Sequence, residues 1–450
     1  MQFWLLLIGI AFILVGRDLL AEGMFVDGVT YASIARNMAE GQGSFWNPCY
    51  TQTLYPVFHQ HPPLALGMEA LFFKAFGDHF WVEKVYSMLT FLLSGLLIAA
   101  IWKRTTNRPQ WAWMPLLFWV AMPLVTWSAK NNLLENTMAI FVLLSVWLMI
   151  LSYQKNSKLW LLMAGASLYL AFLTKGFTGL FPLAFPLFYC IFDERRHWIQ
   201  GPVDILLLFF TMAVLSGLTF LFHPEWWQYL KDYIHIQVIE GGLHEVTVSS
   251  RFYIVLSLLQ QLVIPTAIVV ILFIIRKIAK IQQGKIFEFR PDRKWFVVFL
   301  LLGLSGVLPI MVSVKQRDFY MLTALPFFAL ACSYLCLSLM GHLHEKMNLK
   351  RPLHIVVTLS SLLVLLAGVL LPLRGVNTYS RDEALLKDIK AILPELVEEK
   401  TLGIAQEDFS QWEWHAYFMR YGKVSLDDRN PHSYVLMKDN HHLKLLTSDF

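Results

Sequence analysis

Asp27 stands a few residues beyond the first long apolar run. It heads a segment with Tyr31, Ile34, Ala35 and Met38 at helical spacing. A carboxylate there has two uses. It caps the helix it introduces, or it is a catalytic carboxylate held at headgroup level by an interfacial helix. Further on, Phe58-His59-Gln60-His61-Pro62-Pro63-Leu64 carries two histidines at alternate positions, which point the same way in an extended chain. They read as polar loop residues, or as donors to a phosphate or ligands to a metal. The prolines suit the start of a second amphipathic helix. Glu135 opens another apolar run, where the helix dipole favours a carboxylate. Lys175 divides two short apolar runs, and Lys315 and Arg317 lie just ahead of Tyr320. A lysine at such a turn reaches for headgroups. An arginine grips a phosphate with two hydrogen bonds, or pairs with its neighbour Asp318.

The elements that must position these groups are membrane helices. Of 450 residues, 56% are hydrophobic and only 15% charged, which argues against a soluble globular enzyme and a disordered chain alike. The net charge of +5 is scattered among apolar runs, so nothing points to nucleic acid. Four cysteines make no disulfide framework. Eleven runs approach the roughly 20 apolar residues that a bilayer requires. They fall near 2–22, 81–101, 111–128, 133–152, 159–174, 177–192, 203–222, 252–275, 295–313, 319–340 and 352–372. The fifth and sixth are short and meet at Lys175-Gly176, which reads as one bent hairpin. The first has no basic residue before it and no small-x-small site after it, so it reads as a retained helix.

Lysine and arginine in the short loops set the orientation. Seventeen lie in 102–110, 153–158, 193–202, 276–294 and 341–351. The facing loops hold Arg36, Lys74, Lys130, Lys175, Lys231, Lys315 and Arg317. The expectation is a cytoplasmic amino terminus and an outer carboxyl terminus. Two long outer segments, 23–80 and 223–250, gather the polar residues, as functional loops do. The second carries Trp226-Trp227, which read as interface anchors or sugar stackers. It also has three histidines and several carboxylates, which leave room for a divalent metal without tight ligand spacing. The spanning runs lack charge at their centres, unlike a coupled transporter. Residues 373–450 turn polar, with a helical stretch at 382–400 and strand-like pieces at 402–405 and 434–437. The expected architecture is all-α and polytopic over 1–372, with a small extracytoplasmic α/β domain over 373–450.

The acidic residue after the first span, the helix beginning Tyr31-Ala32-Ser33-Ile34-Ala35-Arg36 and the Pro62-Pro63-Leu64 motif resemble the GT-C class of polytopic glycosyltransferases. Lys130-Asn131-Asn132-Leu133-Leu134-Glu135, Leu173-Thr174-Lys175-Gly176 and Lys315 to Leu322 followed by Pro326 fit in order. The nearest groups are the lipid A aminoarabinose transferases and the protein O-mannosyltransferases of glycosyltransferase family 39. The former tend to have Glu-Lys-Pro-Pro where this chain has Gln60-His61-Pro62-Pro63. The paired Asp-Glu often seen in the first loop is here Asp27-Gly28.

The resemblance implies a polyprenyl-phosphate sugar as donor. It implies an extracytoplasmic lipid, glycan or protein as acceptor, and an inner membrane of many lipid contacts. It makes Asp27 the base or an acceptor-positioning carboxylate, with Glu135 as runner-up or partner. Lys175, Arg317, Lys315 and His61 would hold the donor phosphate, and Tyr31, His59 and Tyr320 would touch substrate. Glu240-Gly241-Gly242-Leu243 reads as a hinge that orders when donor binds. The competing reading is a lipid or solute transporter or flippase without glycosyl transfer.

Overall fold

The computed structural model describes residues 2–193, 196–241, 245–281, 293–349, 351–396, 399–439 and 442–447. Gly242, Leu243 and His244, part of the expected hinge and its histidine, lie outside them. The apolar runs form helices. Among the described residues nine are long and apolar enough to cross a membrane, and a tenth results if Pro109–Val120 and Pro123–Ala129, bent by 88°, are one span. Lys158–Phe192 counts once in that tally, yet it doubles back at Lys175-Gly176. Tyr189 near its far end stacks on Tyr153, which precedes its start, with centroids 4.5 Å apart. Its two arms correspond to the short runs expected at 159–174 and 177–192.

Helix α1 (Gln2–Leu20) lies against α15 (Arg351–Leu370). A Cβ at Gly9 would sit 2.7 Å from the Leu365 nitrogen, and one at Gly368 would sit 2.6 Å from the Gly9 oxygen. Small residues let two apolar helices approach closely where lipid supplies no hydrophobic drive. The helices α2 (Val26–Ala39) and α3 (Leu64–Phe76) follow α1 and are too short to span; α2 is buried on nearly all sides, Arg36 and Asn37 included, and does not have the one-sided face expected of an interfacial helix. The bundle continues with α4 (Val82–Thr105), the short α5 (Trp113–Val120) and α6 (Pro123–Ala129), then α7 (Leu134–Lys155) and the hairpin of α8 (Lys158–Lys175) and α9 (Phe185–Phe192). Next come α10 (Gln200–Phe222), α11 (Glu225–Tyr233), α12 (Tyr253–Ile281), α13 (Arg293–Val307) and α14 (Leu325–Leu349). Helix α10 has a mean hydropathy of 2.4 but is only 11% buried, with Leu206, Phe210, Leu221 and Phe222 turned outward. So large an exposed apolar surface needs lipid against it.

Three carboxylates near the ends of spans are paired, Glu83 with Arg420, Asp204 with Lys158 and Glu135 with Lys175, while the buried Lys84 donates to the Asp18 and Ala21 carbonyls. Trp226 is not an interface anchor. It is buried against Trp46 and Phe172 and donates to Ser216, whereas Trp227 is exposed.

The polar end of the chain folds as read, into a mixed α/β unit. It has α16 (Glu383–Ile392), α17 (Trp412–Tyr417), β1 (Thr401–Ile404), β2 (Ser425–Asp427), β3 (Tyr434–Asp439) and β4 (His442–Thr447). The sheet order is β2-β1-β3-β4, with β1 parallel to both neighbours and β3 antiparallel to β4. Helix α16 stops short of the expected 382–400 because Pro394 disfavours helix in the residue before it.

This unit packs on α2. Met24 and Val29 share a core with Leu386, Leu402, Trp414 and Phe418. Arg36, fully buried, donates to the Met419 and Arg420 carbonyls at 2.9 and 3.2 Å. Arg420 reaches back to Glu83 through two hydrogen bonds and to Asp78 at 2.6 Å.

Candidate active site

The segment between α6 and α7 fixes the foot of α2. Lys130 pairs with Asp18. The Asn131 side chain accepts from the Phe25 amide at 2.8 Å, and Asn132 donates to Glu69 at 2.7 Å and to the Gly28 carbonyl at 3.3 Å. Gly28 is required at this crossing, since a Cβ would meet the Asn131 oxygen at 2.1 Å. The N-cap of α2 is Phe25, so Asp27 is not a cap but sits in the first turn. Its carboxylate has no hydrogen-bond partner among the described residues, and it faces a cavity of about 860 Å³.

Asp27, Tyr31, His61, Lys175, Lys315, Arg317 and Tyr320 all line that cavity. They come from α2, the 50–61 loop, the apex of the α8–α9 hairpin and the segment before α14. Burial raises the Asp27 carboxyl above its ordinary range, opposed first by Lys175 and then by Arg317. Both cations therefore act on it. Burial, with Lys175 and Lys315 adding, pushes the His61 imidazole well down, so it is neutral and offers one N–H. Burial and the nearby Asp27 raise the Tyr31 phenol, which stays a donor.

Lys175 is 6% exposed and Glu135 fully buried, and the two pair directly. The ammonium also lies over the Phe319 and Tyr320 rings at 5.2 and 5.5 Å. Glu135 stands behind Lys175 and is not part of the cavity wall. Its other oxygen has no hydrogen-bond partner among the described residues. Arg317 is exposed and makes no side-chain ion pair among the described residues. Lys315 is engaged by Glu245 at 2.6 Å. The π-turn Ile234–Gly241 supplies Ile236, Gln237, Glu240 and Gly241 to the wall. At the hairpin apex, Gly176 has φ +76, and a Cβ would fall 1.7 Å from the Tyr233 hydroxyl.

His59 is not in the cavity. Its Nδ1 meets Asp232 at 2.7 Å and its Nε2 the Trp46 carbonyl at 3.1 Å, so both nitrogens are spent on structure. The chain there is not a regular strand, and the two histidines diverge. Among the described residues no three His, Cys, Asp or Glu side chains converge as a metal shell. Sequence reasoning missed Thr30, Tyr50, Tyr55, Phe58, Trp412 and Glu413 in the wall. Trp412 and Glu413 come from the C-terminal unit, and no local motif marks them.

Residues 60–220 match the family described as dolichyl-phosphate-mannose-protein mannosyltransferase. That stretch holds His61, Glu135 and Lys175 but not Asp27 or Arg317. No curated protein matches the sequence. The structure is similar to that of ArnT from Cupriavidus metallidurans bound to undecaprenyl phosphate, with 15% identity and a TM-score of 0.61, covering 95% of this chain and 86% of that one. The apo state of the same protein gives 15% identity and a TM-score of 0.59, covering 93% and 83%. The apo oligosaccharyltransferase of Archaeoglobus fulgidus is 12% identical at a TM-score of 0.51, covering 94% of this chain but 64% of that one. A polytopic helical bundle, two short helices after the first span and a small terminal sheet together give this chain the fold of GT-C class membrane glycosyltransferases.

Proposed function

We propose that the chain moves a sugar from a polyprenyl-phosphate donor to an acceptor in the cavity beside α2. The observation that carries this is one carboxylate and two cations from distant parts of the sequence on one cavity wall: Asp27, Lys175 and Arg317. The match to a dolichyl-phosphate-mannose family and the bound undecaprenyl phosphate of ArnT support the donor class. The acceptor hydroxyl oxygen attacks the anomeric carbon and forms the new glycosidic bond. The bond from that carbon to the phosphate oxygen breaks, and its electron pair leaves with the polyprenyl phosphate. Asp27 takes the acceptor's proton. Lys175 and Arg317 stabilise the charge growing on the leaving phosphate, and His61 donates one hydrogen bond to it. Glu135 positions Lys175, and Tyr31 and Tyr320 bound the sugar. The positive-inside bias supports a cytoplasmic amino terminus with the cavity on the far side, and the family resemblance supports an inner membrane. A transporter or flippase gains no support, because Glu83, Glu135 and Asp204 are paired near helix ends rather than free at mid-membrane depth.

The test is Asp27→Asn in full-length protein with a polyprenyl-phosphate sugar. Transfer is expected to fall by at least ~100-fold with folding and donor binding retained. Near-normal transfer would remove Asp27 from the chemistry.

A further inference from the structure

Five rings run in series along the cavity wall, from the foot of α2 to the C-terminal unit. Tyr31 meets His61 at 5.9 Å, His61 meets Phe58 at 6.2 Å, and Phe58 meets Tyr55 at 6.1 Å. Tyr55 then stacks on Trp412 at 6.1 Å, with 13° between the planes. All five line the cavity, and Trp412 is 48% exposed.

Tyr55 is held at φ +53. A bulky side chain at positive φ is an outlier that persists only where its surroundings over-determine it, as at ligand clamps. Here they do. The Tyr55 carbonyl accepts from the Tyr50 amide at 3.1 Å, and Thr51 Oγ1 accepts from the Leu54 amide at 2.6 Å. Thr53 Oγ1 donates to the Leu426 carbonyl of β2 at 2.5 Å, which fastens the turn to the C-terminal unit.

Charge divides along the same wall. At the Tyr31 end the cations Lys175 and Arg317 act on Asp27. At the Trp412 end stands its neighbour Glu413, and Glu245 lies between the ends, acting on both Tyr55 and Tyr320. Glu245 also engages Lys315. Exposed aromatic faces cover the apolar C–H surface of a sugar ring. Carboxylates accept from its hydroxyls and repel phosphates and carboxylates. None of the lining residues lies on a strand, so an extended peptide finds no backbone ladder to join.

We infer that the acceptor is an uncharged carbohydrate chain, with its reacting end at Asp27 and its body over Tyr55 and Trp412. The C-terminal unit is thereby part of the acceptor site. This rests on the transfer reading, and the experiment separates the two. Purified full-length protein is titrated calorimetrically with short uncharged oligosaccharides, phosphorylated counterparts of the same sugars, a serine-rich peptide and undecaprenyl phosphate. The uncharged sugars are expected to bind, and Trp412→Ala and Tyr55→Asn to raise their Kd by at least ~10-fold. Asparagine tolerates the positive φ, so the second variant keeps the turn. Neither change is expected to move the Kd for undecaprenyl phosphate, and Glu413→Lys is expected to admit the phosphorylated sugars. Three results would overturn the inference: no binding of any uncharged oligosaccharide, binding indifferent to both aromatic variants, or a wild-type preference for the peptide or the phosphorylated sugars. Undecaprenyl phosphate that binds equally well to Lys175→Met would instead count against the transfer reading.

Discussion

At the scale of single residues, Asp27 and Lys175 are coupled, and the coupling has a measurable sign. Burial lifts the Asp27 carboxyl, and Lys175 is the first of the cations opposing it. A base must be ionised, so transfer is expected to rise with pH through the raised pKa of Asp27. Lys175→Met removes the larger opposing charge. The acid limb of the pH–rate profile should then move to higher pH, in addition to any loss of rate. Arg317→Gln should move it the same way and less far. An acid limb unmoved in both variants would mean that the titrating group is not Asp27. Glu135 answers a different measurement. Removing it alone leaves a buried, uncompensated ammonium, which typically costs about 3–5 kcal/mol. Thermal unfolding of Glu135→Leu should show that loss. The double variant Glu135→Leu with Lys175→Met should recover much of the stability and none of the transfer.

At the scale of elements, the α8–α9 apex couples the buried cation to the roof of the cavity. Gly176→Ala places a Cβ at a positive φ and against the Tyr233 hydroxyl, so the π-turn Ile234–Gly241 must shift. The strain is on the order of 1–3 kcal/mol. Transfer should fall while Asp27, Lys175 and Arg317 all remain, and the fall should appear in the KM for donor or acceptor. The spans were legible because twenty apolar residues have few other uses. The hairpin was legible because Lys175-Gly176 interrupts them. Asp27, Lys175 and Arg317 could be named because each is a charge beside an apolar run, where burial is costly. Tyr55 and Trp412 could not. A backbone at positive φ in a tyrosine follows from hydrogen bonds to β2, more than 370 residues away, and nothing in the local pattern carries it. His59 failed for a related reason. Alternation predicts a shared direction only in a regular strand, and the loop is not one.

At the scale of the whole molecule, the α/β unit, expected as a small domain over 373–450, shares a core with α2. Arg420 is the clearest tie, buried between Glu83 and Asp78. Arg420→Ala strips the partner from the buried Glu83, a change on the order of 3–5 kcal/mol. Limited proteolysis should then cut near residue 373, where wild-type protein resists. Equal resistance in the two proteins would show that the apolar contacts of Met24 and Val29 suffice.

The crossing of α1 and α15 at Gly9 and Gly368 bears on biogenesis. Helix α1 must wait for α15, more than 300 residues later, before its small-residue face is covered. Only then does the polypeptide carrying Trp412 arrive beside the foot of α2. A nascent chain halted before α15 would hold Asp27, Lys175, Lys315 and Arg317 and still lack Trp412 and Glu413 of the wall. On the proposed reading, part of the wall that meets the acceptor is therefore added only after α15 has been made.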